Sequence, residues 1–210
     1  MSFLKRSFLV VGFVVFSFSQ LAQASFLIEP HFGYNLSGSG TTGSGTTASE
    51  FKYTGVQYGL RAGYQYLGFM GGLAYNRSNY VWKLSTSQLT PTINTNYEDS
   101  FTRNEVGLFL GYQFPIFFRL WGAYYFTNTA EDVDTTHSTI SIAGAMPDLY
   151  PTGYQFKGNT KELGIGYTGL PFVSINLSFR NVVHDNTTTG AVGISNNEFV
   201  LGISAPFSVL

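Results

Sequence analysis

Seven charged residues stand out by type and placement: Glu29, Glu105, Glu162 and Glu198 against Arg61, Arg119 and Arg180, with His31 beside the first of them. Carboxylates and guanidiniums set around a narrow passage gate ions. Packed against one another, the same groups neutralise and fill that passage. Elsewhere, His137-Ser138 and His184-Asp185 juxtapose types that hydrolytic and acyl-transfer sites use. Successive residues of a strand point to opposite faces, however, and a triad is defined by geometry rather than by adjacency. Asp132 and Asp134 form a D-x-D pair without the Gly and Glu spacing of a calcium loop. On these grounds no catalytic residue, metal site or cofactor is assigned, and the chain is read as a non-enzyme.

The composition says where such charges must sit. Only 11% of the 210 residues are charged, against roughly 25% in a soluble domain, while aromatics reach 17% and glycine numbers 24. Lys5 and Arg6, the apolar run Phe8 to Phe18 and the Ala22-Gln23-Ala24 motif describe a secretory signal peptide cleaved after Ala24. Without Lys5 and Arg6, nine of the 11 basic residues remain against 12 acidic ones, which is not the basic footprint of a nucleic-acid binder. The chain has no cysteine, so disulfide stapling, thiol catalysis and Cys-ligated metal are excluded. No stretch after residue 24 is apolar enough to cross a bilayer as a helix.

What remains is alternation with a period of two. Phe26, Ile28, Pro30, Phe32, Tyr34 and Leu36 share one face of a first strand, and Leu27, Glu29, His31, Gly33 and Asn35 share the other. The pattern recurs in seven further segments. They are centred on Val56 to Tyr66, Phe69 to Trp82, Glu105 to Phe114, Phe118 to Phe126, Lys161 to Tyr167, Val173 to Arg180 and Glu198 to Val209. Before Lys161 the sixth is irregular, and a bulge there is expected to shift its phase. Tyr53, Tyr80, Trp82, Tyr97 and Tyr154 are expected to extend strands toward the longer connections. Those connections, at about 37–50, 84–97, 128–152 and 185–195, are polar, and they alternate with short ones at Leu67-Gly68, Pro115-Ile116 and Gly169-Leu170-Pro171. The spacing predicts an all-β, eight-stranded antiparallel up-and-down barrel over residues 25–210, with four long loops at one end.

An eight-stranded meander buries its apolar face as a soluble barrel or shows it to lipid as a membrane barrel. The polar face carries glycines that a soluble exterior would not need, and it carries all seven charges. Facing lipid near the midplane each would cost roughly 2–4 kcal/mol, whereas facing a narrow lumen they can pair. Aromatics crowd the short turns: Tyr64, Tyr66 and Phe69; Tyr112, Phe114 and Phe118; Tyr167 and Phe172; and Phe207 near the C-terminus. That is one girdle of a membrane interface. The apolar face is therefore outside, and the chain is a transmembrane β-barrel.

With the signal peptide, the eight alternating strands, the turn-flanking aromatics and the final strand EFVLGISAPFSVL, the chain resembles the small bacterial outer-membrane barrels of the OmpA-like and OmpX-like group. The resemblance implies residence in the cell outer membrane, contact with its lipid and lipopolysaccharide, and handling by the barrel-assembly machinery during biogenesis. It also implies short turns in the periplasm, long loops outside and a monomer. The aromatic that this group places at the end of the last strand comes three residues early here, at Phe207. The resemblance further implies a structural or surface-binding role of adhesin or protection type, carried by the loops toward an extracellular ligand that the sequence does not name. A narrow ion or small-solute channel is the alternative, and a lipid A-modifying or proteolytic barrel comes after both. The charged cluster is read as a plug before it is read as a gate.

Overall fold

The structure, a computed structural model, describes residues 24–42, 49–85, 96–132, 155–186 and 194–209. Residues 1–23 of the predicted signal peptide and much of the predicted loops lie outside them. The chain forms β1 (Ser25–Thr42), β2 (Ser49–Tyr66), β3 (Phe69–Ser85), β4 (Asn96–Gln113), β5 (Phe118–Asp132), β6 (Gln155–Tyr167), β7 (Ser174–Asn186), β8 (Ile194–Ser204) and a short β9 (Phe207–Val209). Consecutive strands pair antiparallel, and β1 pairs with both β2 and β8, so the sheet closes into a barrel of eight staves and leaves the long strands no open edge. The last stave is written as two strands because Pro206 interrupts it. Beyond that proline β9 resumes on β1, with Phe207 opposite Ile28 and Val209 opposite Phe26.

Closure is staggered. Followed from partner to partner, Glu29 leads through Arg61, Ala74, Gly107, Tyr125, Thr160, Val182 and Asn196 back to β1 at Gly40, eleven residues further on. Such a shear tilts the strands and sets a bore just wide enough for side chains to fill.

The turns follow from their chemistry. Leu67 and Gly68 both have positive φ, at 49° and 82°, which suits a two-residue hairpin turn whose twist matches that of the flanking strands. Phe117 and Phe172 adopt the same left-handed region in the other two short turns.

Two expectations change. The irregularity near Lys161 lies across the ladder in β5: the β5–β6 register shifts between Tyr125 and Asn128, while β6 pairs with β7 without interruption from Phe156 to Tyr167. The inserted residue belongs to the strand whose apolar run Tyr124 to Phe126 gives way to Thr127-Asn128, and β6 keeps one phase. The ladders also run further toward the loop end than alternation alone marks. The Ser/Gly/Thr stretch after Leu36 continues β1 to Thr42, and β2 begins at Ser49. A second bulge on β1, between Asn35 and Gly38, resets the register there.

Candidate functional site

Burial reverses the order of a soluble domain. Glu29, Glu105 and Arg180 are 0% exposed, whereas Leu110 is 74% exposed and Phe172 83%. Apolar residues face outward on all eight staves, from Phe26, Phe32 and Leu36 on β1 to Phe199, Leu201 and Ile203 on β8. The predicted girdle lies on this outer side at the short-turn end. Phe69 packs edge-on to Tyr112 at 4.8 Å, Tyr112 to Phe114 at 4.9 Å, and Phe118 to Tyr167 at 5.6 Å. Tyr64, Tyr66, Phe172 and Phe207 are exposed around the same rim.

Inside, the seven predicted charges converge, and an eighth joins them. Arg103 is buried two residues before Glu105 and therefore on the same face of β4, so four arginines meet four glutamates. They form one alternating chain up the bore. At the short-turn end Arg119 is paired with Glu29, and its Nη2 also donates to Asn176 Oδ1 and Ser204 Oγ, each at 2.8 Å. Glu29 pairs with Arg61 at 3.4 Å, and Arg61 with Glu162 at 3.2 Å. Arg180 is the hub. Its guanidinium reaches Glu162 at 3.3 Å, Glu198 at 3.1 Å and, most closely, Glu105. At the loop end Arg103 takes Glu198 in a two-pronged contact, Nη1 to Oε1 at 2.5 Å and Nη2 to Oε2 at 2.9 Å, with Glu105 at 3.5 Å from its Nε. This fork-on-fork geometry is what arginine offers and lysine does not.

Neutral groups complete the carboxylates. Trp121 Nε1 and the Tyr125 hydroxyl donate to Glu162 at 2.9 and 3.1 Å. Thr160, Asn76 and Asn128 donate to Glu105 at 2.6, 2.9 and 3.2 Å. Tyr53 donates to Glu198 at 2.6 Å. The arginines stack on rings: Arg61 and Arg119 lie 4.6 and 5.2 Å from the Trp121 centroid, Arg180 lies 5.4 Å from Tyr125 and Arg103 5.4 Å from Tyr80. Inward glycines make the room. A Cβ at Gly164 would sit 2.1 Å from the Trp121 ring, and one at Gly166 would sit 2.8 Å from Arg119 Nε.

Apolar groups pack alongside the network and over its loop end. Leu27, Met70, Ala74, Phe109, Ala123 and Tyr125 form an apolar cluster within the bore. Toward the loops Tyr53 and Tyr80 pack at 5.2 Å and Tyr80 stacks on Phe101 at 6.0 Å, all three buried. Lumen cavities beside Arg103 and beside Arg61 measure about 10 and 20 Å³. A single water needs roughly 10–15 Å³ on this measure, so each holds one or two.

All four glutamates and Arg61, Arg119 and Arg180 lie buried on the inward face. His31 shares the inward row, with its ring against Gly59, but the ion-pair chain closes without it. Arg103 is what the reading missed: it lies two residues before Glu105, where the expected segment began, and shares its parity on the longer β4. Tyr53 and Tyr80, read as extensions toward the loops, turn inward and cap the network. His184 Nε2 lies 2.9 Å from Asn128 Oδ1, within the polar network, while Asp185 is the next residue of the strand. His137 and Ser138, and Asp134, fall outside the described residues.

Apolar outside and charged inside is the arrangement of a barrel that faces lipid, and fold and interior together define a small transmembrane β-barrel. No family model and no curated protein matches the sequence. Among solved structures the chain is similar to the attachment invasion locus protein Ail of Yersinia pestis, crystallised with the heparin analogue sucrose octasulfate, at 10% identity over 87% of this chain and 99% of that one, TM-score 0.46. It is similar to Neisserial surface protein A at 13% identity over 88% and 99%, TM-score 0.46. It is also similar to the outer membrane protein OprG of Pseudomonas aeruginosa, at 12% identity over 89% and 97%, TM-score 0.46. The membrane assignment of the present chain rests on its own burial pattern.

Proposed function

We propose that this chain is a bacterial outer-membrane barrel in which the lumen is a structural plug and the work is done at the surface, by the loop end, in a structural or surface-binding role. One observation carries the reading: among the described residues the bore is occupied by a charge-balanced network, and the cavities beside Arg103 and Arg61 have space for only isolated waters. A solvated ion has no continuous path through such an interior, and a charge moving along it would have to separate paired groups in a low dielectric. Binding residues on rigid barrels concentrate in the connecting loops, and the ladders that extend past the apolar belt carry those loops clear of the lipid. The reading takes the protein as non-catalytic and without a cofactor, and as a single copy, since one chain closes its own sheet.

Two measurements test this. Purified protein in planar bilayers is expected to be electrically silent, and steady unitary steps that change in size in Arg103→Ala would establish the channel instead. Whole-cell binding to a surface, compared with and without residues 133–154, separates a surface-binding role, where binding falls, from a purely structural one, where it does not.

A further inference from the structure

A buried polar atom without a hydrogen-bond partner is costly, and each one calls for a reason. Five such atoms belong to residues that line the cavities beside Arg103 and Arg61. Asn35 Oδ1, Ser78 Oγ and Arg103 Nε go with the first, and His31 Nδ1 and Arg61 Nε with the second. Asn35, Ser78, Arg103 and Arg61 are all buried. Arg103 Nε has an ion contact with Glu105 at 3.5 Å, but no hydrogen bond.

The walls select the occupant by its chemistry. Each cavity sets an arginine beside a glutamate, Arg103 with Glu198 in the first and Arg61 with Glu162 in the second. A cation would meet the guanidinium, an anion would meet the carboxylate, and an apolar guest would leave the polar atoms unpaired. A neutral molecule that both donates and accepts satisfies both walls, and volumes of about 10 and 20 Å³ admit nothing larger than water. Gln57 lines both cavities and keeps them apart. It is buried, and its Oε1 accepts from Arg180 Nη1 at 2.9 Å and Asn76 Nδ2 at 3.3 Å. Gly33 gives it room: a Cβ there would come within 3.3 Å of Gln57 Cγ and 3.4 Å of its Nε2.

We infer that these are two separate sites for structural water, divided by Gln57. The loop-end water is held by Asn35 Oδ1, Ser78 Oγ and Arg103 Nε. The other is held by Arg61 Nε and His31 Nδ1, which accepts or donates according to the ring's tautomer. The inference rests on the plug reading above and deepens it, because bound water then completes the arginines that the glutamates leave partly unpaired. It also gives a role to His31, which the ion-pair chain does not use.

The experiment uses the full mature chain refolded in detergent, its folded state checked by heat-dependent gel mobility, and oxygen-17 magnetic relaxation dispersion of the solvent water. That measurement counts the waters held inside a protein for longer than it takes to tumble. Wild type is expected to hold at least two. His31→Phe, which deletes one site's ring nitrogen, and Asn35→Leu, which deletes the other site's acceptor, are each expected to lose one, and the double variant to lose both. Gln57→Ala, which removes the partition and leaves the five ligating atoms in place, is expected to raise the count above wild type. A wild-type count below two, or an unchanged count in folded His31→Phe and Asn35→Leu, would overturn the sites. The wild-type count decides the matter if a variant fails to fold. Loss of the water sites in a protein that stays electrically silent in planar bilayers would leave the plug reading standing, whereas steady conductance would overturn the plug itself.

Discussion

Arg180 is the residue on which the interior turns, and its removal is the sharpest test of the network. Its guanidinium faces Glu198 at 3.1 Å and Glu162 at 3.3 Å, and lies closer still to Glu105. At an effective dielectric of about 20, each such contact amounts to roughly 5 kcal/mol of gross attraction. Desolvation of the ions and repulsion from Arg103 offset most of that, and breaking one side of a buried pair nets about 3–5 kcal/mol. The glutamates left behind keep partners of unequal quality. Glu198 retains the two-pronged Arg103, and Glu162 retains Arg61, Trp121 and Tyr125. Glu105 is left with neutral donors and an Arg103 contact at 3.5 Å. Arg180→Met keeps the stem and deletes the charge, leaving four glutamates against three arginines, and is expected to destabilise the barrel by about 3–5 kcal/mol. Arg180→Met with Glu105→Gln restores neutrality and should cost less than the two single changes added together, by about 1.5–3 kcal/mol. Urea unfolding in detergent micelles, followed by Trp fluorescence and by heat-dependent gel mobility, measures all four corners of the cycle. Additivity within about 0.5 kcal/mol, or a single variant as stable as wild type, would refute the view that these charges form one coupled plug.

Other outcomes follow from the same geometry. Gly164→Val drives its Cβ into the Trp121 ring, which displaces the group on which Arg61 and Arg119 stack, and is expected to lower the unfolding free energy by about 1–3 kcal/mol. Leu67→Asn relieves a non-glycine residue held at φ 49° and creates an Asn-Gly turn, so the urea midpoint should rise by the equivalent of about 1 kcal/mol. Leu108→Arg, outward in the apolar band of β4, should cost roughly 2–4 kcal/mol in lipid vesicles, while Asn104→Arg, four residues nearer the loops, should cost roughly 0–1 kcal/mol. Equal costs at the two positions would argue against the placement of the membrane boundary.

The alternation of side chains is a local property. A strand residue's face depends only on its parity, so residues such as Glu29, Glu105 and Arg119 could be assigned to the inward face from the chain alone. The same parity made the outer apolar belt and the aromatic girdle legible, and the glycine-rich inner face announced that bulky groups must be accommodated, as Trp121 is against Gly164. The sequence by itself thus determined eight staves, their inside and their outside. It did not determine who meets whom. Partnership between Arg180 and Glu105, 75 residues apart, depends on the stagger with which β1 closes on β8, and that stagger is a sum over every hairpin register and both bulges. A shift of one residue in β5 cannot be located from β6, which is why the bulge was expected on the wrong side of the ladder. Arg103 and Tyr53 became part of the interior only once the ladders were seen to continue past the apolar belt, because backbone pairing, not hydrophobic contrast, holds the strands at that end. The tertiary structure decided the pairing and the balance of four charges against four, since each depends on distances across the barrel that no local pattern encodes.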